Sequence, residues 1–143
     1  MSGTPVCIDA SFVLHLVSGG ELTTAAIGRW AAWHQAGRAV VAPVLLHYEV
    51  SGALWRYVER RELLAEEAIE ALEAALDLQI ELRSDPELLR RALGIADRLR
   101  LPAPEWAHYL AVAEQLGGEL WTADGRLVSA VQAVLPWVHL LGD

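Results

Sequence analysis

The sequence predicts an α/β protein in three layers, a central and mostly parallel sheet of four to five short strands flanked by helices. Three observations lead there. Short runs rich in Val, Ile and Leu recur at 6–8, 39–42, 119–122 and 137–141, and they read as apolar on both faces, as strands of a covered parallel sheet do. Longer segments with apolar residues at helical spacing separate them, which is the alternation of a parallel sheet with crossover helices. The 143 residues, 54% hydrophobic and 21% charged, are enough for one domain with its own core, and 1–143 is read as a single unit.

Taken in order, Val6 to Ile8 is a buried strand ending at Asp9, and Ser11 is placed to cap a short helix over Phe12 to Val17. After Gly19-Gly20, the segment Glu21 to Gln35 carries Leu22, Ala26, Ile27, Trp30 and Trp33 at helical spacing and stops at Gly37. Ala39 to Ala42 is the second strand, and Leu45 to Val58 the helix after it. Glu62 to Leu76 is rich in Ala, Leu and Glu, and its apolar stripe reads as Leu63, Ile69, Leu72 and Leu76. Leu78 to Leu82 alternates and suits an edge strand. Asp85-Pro86 caps and opens a helix to Arg100, and Pro104 opens the next, which ends at Gly117-Gly118. Glu119 to Thr122 is a strand ending at Asp124, Arg126 to Val134 a helix, and Trp137 to Leu141 the last strand. Pro-Ala-Pro at 102–104 is the one candidate hinge, too short to divide domains.

Composition excludes several chemistries. All 11 basic residues are Arg, so functions that need a Lys (P-loop nucleotide binding, protein kinase and Schiff-base catalysis) have no residue to carry them. Cys7 is the single cysteine, and the five histidines form no HExxH pair, so neither a multi-cysteine zinc site nor a zinc hydrolase motif is present. The balance of 11 basic against 19 acidic residues gives −8, so a polyanion would have to be met by a local patch or a bound cation. The start lacks a basic region ahead of an apolar run, and no segment is long and apolar enough to span a membrane, so a cytoplasmic address is expected.

The candidate chemistry lies at strand ends. In open parallel sheets ligands bind beyond the carboxyl ends of strands, near the point where strand order reverses. Asp9 and Asp124 sit at such ends, and Glu49 lies in the helix leaving the second strand. Clustered carboxylates repel, and a shared proton or a divalent cation relieves them. Hard oxygen donors without His or Cys select Mg²⁺ or Mn²⁺. Each acid also has a plainer reading: Asp9 and Asp124 as helix N-caps, Glu49 as a solvated position.

Cys7-Ile8-Asp9-Ala10-Ser11, then Ala42-Pro43-Val44-Leu45-Leu46-His47-Tyr48-Glu49-Val50 with Ala53-Leu54-Trp55-Arg56, then the helix Ala107 to Glu114, then Trp121-Thr122-Ala123-Asp124-Gly125-Arg126-Leu127, resemble in order and spacing the motifs of a PIN domain. The likeness is strongest to the small VapC-like toxins of toxin–antitoxin pairs. It implies a metal-dependent endoribonuclease in which Asp9, Glu49 and Asp124 hold Mg²⁺ or Mn²⁺ and Thr122 orients the site, with Ser11 beside it. It also implies an RNA substrate, a cognate antitoxin and a homodimer, for which Trp30 and Trp33 are the candidate apolar surplus. One position departs: family members usually carry Asp directly before the Ala-x-Tyr-Leu-Ala segment, and here Trp106 stands there. Glu105, one residue earlier and about 100° around the helix axis, is the candidate replacement. The alternative is a PIN-like binding module without catalysis. Arg56 and Arg60 are candidate phosphate contacts, with a solvated, Glu-paired face as the competing reading.

Overall fold

The computed structural model describes residues 3–143 and has the element order β1 (Val6–Ile8), α1 (Ala10–Val17), α2 (Thr23–Gln35), β2 (Val40–Pro43), α3 (Leu45–Glu59), α4 (Ala65–Asp77), β3 (Glu81–Arg83), α5 (Pro86–Leu99), α6 (Pro104–Leu116), β4 (Glu119–Thr122), α7 (Gly125–Val131) and β5 (Val138–Leu140). The five strands form one sheet in the order β3-β2-β1-β4-β5, and every pairing is parallel. β1, β2 and β4 are apolar because both their faces are covered.

This order has a switch point between β1 and β4. From β1 the chain moves out through β2 to β3, then returns across the sheet to β4 and continues to β5. Right-handed crossovers therefore put α1 to α4 on one face and α5 to α7 on the other. The packing agrees: α6 lies across β2, β1 and β4, whereas α1 packs on α2, α3 and α4. Register does the rest. Ile8 pairs with Trp121, so Asp9 and Thr122 come abreast at the carboxyl ends of the two strands that flank the switch point.

Four details depart from the sequence reading. The buried side of α4 is Ala71 and Ala75 with Ala68 and Leu72 packed behind them, while Ile69 and Leu76 are exposed. Small side chains let α4 approach α1 closely, and that selects the alanine stripe over the more hydrophobic one. The edge strand lies at 81–83 rather than 78–82 and is half polar, since an edge needs backbone pairing more than apolar side chains. Trp33 is only 4% exposed and Trp30 is half-buried. Trp33 stacks on Phe12 at 5.3 Å and leans on Trp121 at 6.0 Å, so it joins α1 and α2 to β4 rather than supplying surplus surface. Ser11 does not cap α1; Asp9 does.

The close approach of β1 and β4 begins one residue earlier than their pairing. A Cβ at Gly118 would meet the Pro5 carbonyl oxygen at 2.2 Å, so only glycine allows the chain to enter β4 there. Beside it, Arg38 donates to Glu119 and to the Thr4 carbonyl (2.7 Å), holding the strands' entry ends together.

Candidate active site

Asp9 follows β1 directly, and its backbone turns from extended to helical there. Its carboxylate is the N-cap of α1, with Oδ1 accepting from the Phe12 amide at 3.1 Å. The same oxygen accepts from Ser11 Oγ at 2.7 Å, and Oδ2 accepts from Thr122 Oγ1 at 2.5 Å. Each hydroxyl has one proton and gives it to Asp9, so its lone pairs are free for backbone amides of the β4–α7 turn. Ser11 Oγ accepts from the Ala123 amide at 2.8 Å, and Thr122 Oγ1 from the Asp124 amide at 3.0 Å. The hydroxyls thus clamp the β1–α1 turn to the β4–α7 turn, with Asp9 between them.

Three donated hydrogen bonds favour the Asp9 carboxylate in its charged form, yet burial wins. Asp9 is 7% exposed, and desolvation with a smaller contribution from the Asp124 charge holds its carboxyl above the ordinary range, at about 6. At neutral pH it is mostly ionised, and among the described residues its hydrogen-bond donors are all neutral. Asp124 caps α7, its Oδ1 accepting from the Arg126 amide at 3.0 Å. The Arg126 guanidinium then straddles the same carboxylate, Nε and a terminal nitrogen each at 3.3 Å. Both capping readings therefore hold, and capping leaves each acid at the switch point.

Glu49, half-buried on α3, is linked to Asp9 through Tyr109, which bonds Glu49 and feels the charge of both carboxylates. Partial burial pushes its carboxyl up, a hydrogen bond from Tyr109 opposes this, the nearby Glu105 charge pushes it further up and Arg56 pulls it down. So Glu105, exposed on the first turn of α6, and Arg56, exposed on α3, both stand near Glu49. Arg60 does not join them: it pairs with Glu62 at 3.0 Å and lies over the Tyr57 ring. Trp106 is 9% exposed and part of the core.

Sequence reasoning missed two residues here. The Tyr109 hydroxyl donates to Glu49 Oε1, and Arg126 holds Asp124. Tyr109 was visible as the one hydroxyl in the apolar run Ala107 to Ala113 of α6; Arg126 was visible only as the start of a helix. Cys7 is a bystander to the chemistry. Burial and the Asp9 charge push its thiol up, and it points at the Tyr109 carbonyl (3.6 Å), a setting for an inert thiol.

All candidate donors at this end of the sheet are oxygens, and Asp9 is a buried anion facing a second anion, conditions that suit a hard divalent cation. Among the described residues no three His, Cys, Asp or Glu side chains stand close enough to cage an ion alone. Mg²⁺ seldom asks for that: it keeps several waters and binds through one or two carboxylates. The donor set fits such an open site.

Comparison with known families settles the kinship. The PIN domain profile matches residues 6–132. This chain belongs to the PIN domain family. It is 32% identical to Ribonuclease VapC3 of Pyrobaculum aerophilum over 109 residues, 71% of this chain and 82% of that protein. The crystal structure of PAE2754 from Pyrobaculum aerophilum matches with TM-score 0.65 and 26% identity, over 89% of this chain and 79% of the other. Two more distant structures share the PIN fold. A toxin–antitoxin complex from Klebsiella pneumoniae has TM-score 0.69 at 16% identity, over 96% of this chain and 98% of the other. Mycobacterium tuberculosis VapC20, a sarcin-ricin loop cleaving toxin, has TM-score 0.65 at 20% identity, over 88% and 95%.

Proposed function

We propose that this PIN domain protein is an endoribonuclease dependent on Mg²⁺ or Mn²⁺, the toxin of a toxin–antitoxin pair. The observation that carries the reading is the Ser11–Asp9–Thr122 clamp: a buried, ionised carboxylate oriented from two sides at the switch point of the sheet, with Asp124 beside it. Kinship with a VapC ribonuclease supports the substrate class. Asp9 and Asp124 would hold the cation, with Glu49 as a further oxygen donor at the rim of the same open site rather than part of a three-carboxylate cage, and the cation would supply charge neutralisation at a scissile phosphate and a more acidic attacking water. Ser11 and Thr122 keep both Asp9 oxygens in a fixed direction. Arg56, exposed on α3 near Glu49, would receive a flanking phosphate of an otherwise repelled polyanion, whereas the Arg126 guanidinium is already paired with Asp124.

The test is cleavage of structured and single-stranded RNA by protein stripped with chelator and then reloaded. Cleavage is expected to disappear on stripping, to return with Mn²⁺ or Mg²⁺, and to stay absent in Asp124→Asn. Cleavage that survives thorough chelation would rule out the metal. Trp106 at the usual acid position favours one competing reading, a binding module that holds RNA or antitoxin without cutting; RNA binding without cleavage under any metal would establish it.

A homodimer and an antitoxin complete the proposal. Among the described residues the exposed large apolar side chains other than Ile27 and Val134 lie between Val44 and Leu93, on and around α3 to α5. Tyr48 (77% exposed) lines a groove of about 280 Å³ with Val44, Leu88, Leu89 and Val112, and Leu93 (74% exposed) lies one turn beyond Leu89 on α5. Apolar surface of this kind is commonly an interface. Light scattering is expected to give a dimer for wild type and a monomer for the double substitution Tyr48→Glu with Leu93→Glu; a monomeric wild type at high micromolar concentration would remove the dimer. No helix among the described residues is long and apolar enough to cross a membrane.

A further inference from the structure

We propose that Tyr109 is a positioning residue for this site: its buried hydroxyl holds Glu49 Oε1 and thereby fixes how Glu49 is presented to the cleft. The inference rests on the reading of Glu49 as a ligand-bearing carboxylate, and deepens it. Tyr109 is 2% exposed, and its ring is fixed in the core between α6 and the sheet. A phenol buried that deeply needs an acceptor, and the structure gives it one, Glu49 on α3. The two residues are 60 apart in sequence and come from helices on opposite faces of the sheet. Their bond therefore reaches around the carboxyl end of the sheet, where Asp9 sits.

The geometry also relates Tyr109 to Trp106. The two are three residues apart on α6 and both are buried, so they share its inward face. Trp106 stands where the resembling motif carries an acid just before its tyrosine, so on this face of α6 the hydrogen-bond donor Tyr109 remains while a negative charge is absent. Tyr109 restrains the neighbouring charge of Glu49. Glu49 would otherwise be a long, half-exposed side chain with several rotamers. Tied through Oε1, it has Oε2 left for the cleft, and among the described residues no hydrogen bond engages that oxygen. Outer partners of this kind orient ligands, and their removal typically costs about 10–100-fold in metal affinity.

Two measurements test this, one without metal. In urea denaturation of the metal-free protein, Tyr109→Phe is expected to lower the midpoint when Glu49 is present and to leave it unchanged or raise it in a Glu49→Ala background, where the hydroxyl has lost its acceptor. Equal shifts in both backgrounds would overturn the proposal, because they would mean that Tyr109 acts through packing alone. In calorimetry, Tyr109→Phe is expected to weaken Mn²⁺ binding about 10–100-fold with the fold intact by circular dichroism. Unchanged affinity would overturn the positioning role even if the tie exists. If wild type takes up no Mn²⁺, the metal-dependent reading fails while the denaturation cycle still decides whether Tyr109 holds Glu49.

Discussion

Asp9→Asn is expected to end metal-supported RNA cleavage while making the metal-free protein more stable at neutral pH. The two effects share one cause, a charge kept in a buried place for chemistry rather than for folding. The folded protein raises the Asp9 carboxyl from the ordinary 3.8 to about 6, chiefly by desolvation. A group that binds its proton more tightly when folded contributes its full stability below about pH 4 and loses it as pH rises through about 6. The loss is about 3 kcal/mol, since each tenfold gain in proton affinity on folding corresponds to about 1.36 kcal/mol. Against this, Asn at position 9 still caps α1 through its carbonyl oxygen but offers an amide where Oδ2 accepted the Thr122 proton. Losing that hydrogen bond costs about 1 kcal/mol, so relief of the buried charge wins by about 2 kcal/mol.

Thermal melts from pH 4 to 7 should show metal-free wild type losing stability with rising pH relative to Asp9→Asn, a difference free of the opposite slope that His15, lowered by burial, gives both proteins. Glu49, raised by burial as well, adds a fall with pH to both. Cleavage should drop on the order of 100-fold or more, since even the partners of metal ligands cost about 10–100-fold. A variant less stable than wild type at pH 7 would mean that the carboxylate serves α1 and the clamp first.

What could be read in advance follows from what each feature depends on. Asp9 and Asp124 were legible because strand ends and helix starts are local signals, and parallel topology then brings such ends together. Register supplied the part a sequence cannot show: only the pairing of Ile8 with Trp121 puts Thr122 abreast of Asp9. The Tyr109–Glu49 bond was out of reach, since nothing local to α3 or α6 says that the two helices meet at that edge. On α4 the sequence offered two stripes with helical period. Hydrophobicity pointed to Ile69 and Leu76, and packing distance chose Ala71 and Ala75. Trp33 was open to core or subunit interface, and packing chose the core through ring contacts, Phe12 and Trp121, that lie far away in the chain.

Exchanging the acid between positions 105 and 106 is expected to have the second large effect and to separate a working nuclease from a remnant. Glu105 sits in the first turn of α6, where the helix dipole favours an acid whatever its use. Its charge nonetheless raises the Glu49 carboxyl, so the two side chains are neighbours. Trp106 is core, and Trp106→Asp should cost about 3–5 kcal/mol in lost packing. Activity of that variant alone would therefore confuse chemistry with unfolding. Glu105→Gln leaves the packing untouched and removes only the charge. If Glu105 stands in for the usual acid, Glu105→Gln should weaken Mn²⁺ binding and cut cleavage about tenfold or more, an effect of the size seen for partners of metal ligands. Adding Trp106→Asp to Glu105→Gln should then recover activity per folded molecule, with the folded fraction taken from circular dichroism at the assay temperature. Cleavage and metal affinity unchanged in Glu105→Gln would show that Asp9, Glu49 and Asp124 suffice. Gain in Trp106→Asp with Glu105 intact would show that the tryptophan had vacated a position no other residue fills.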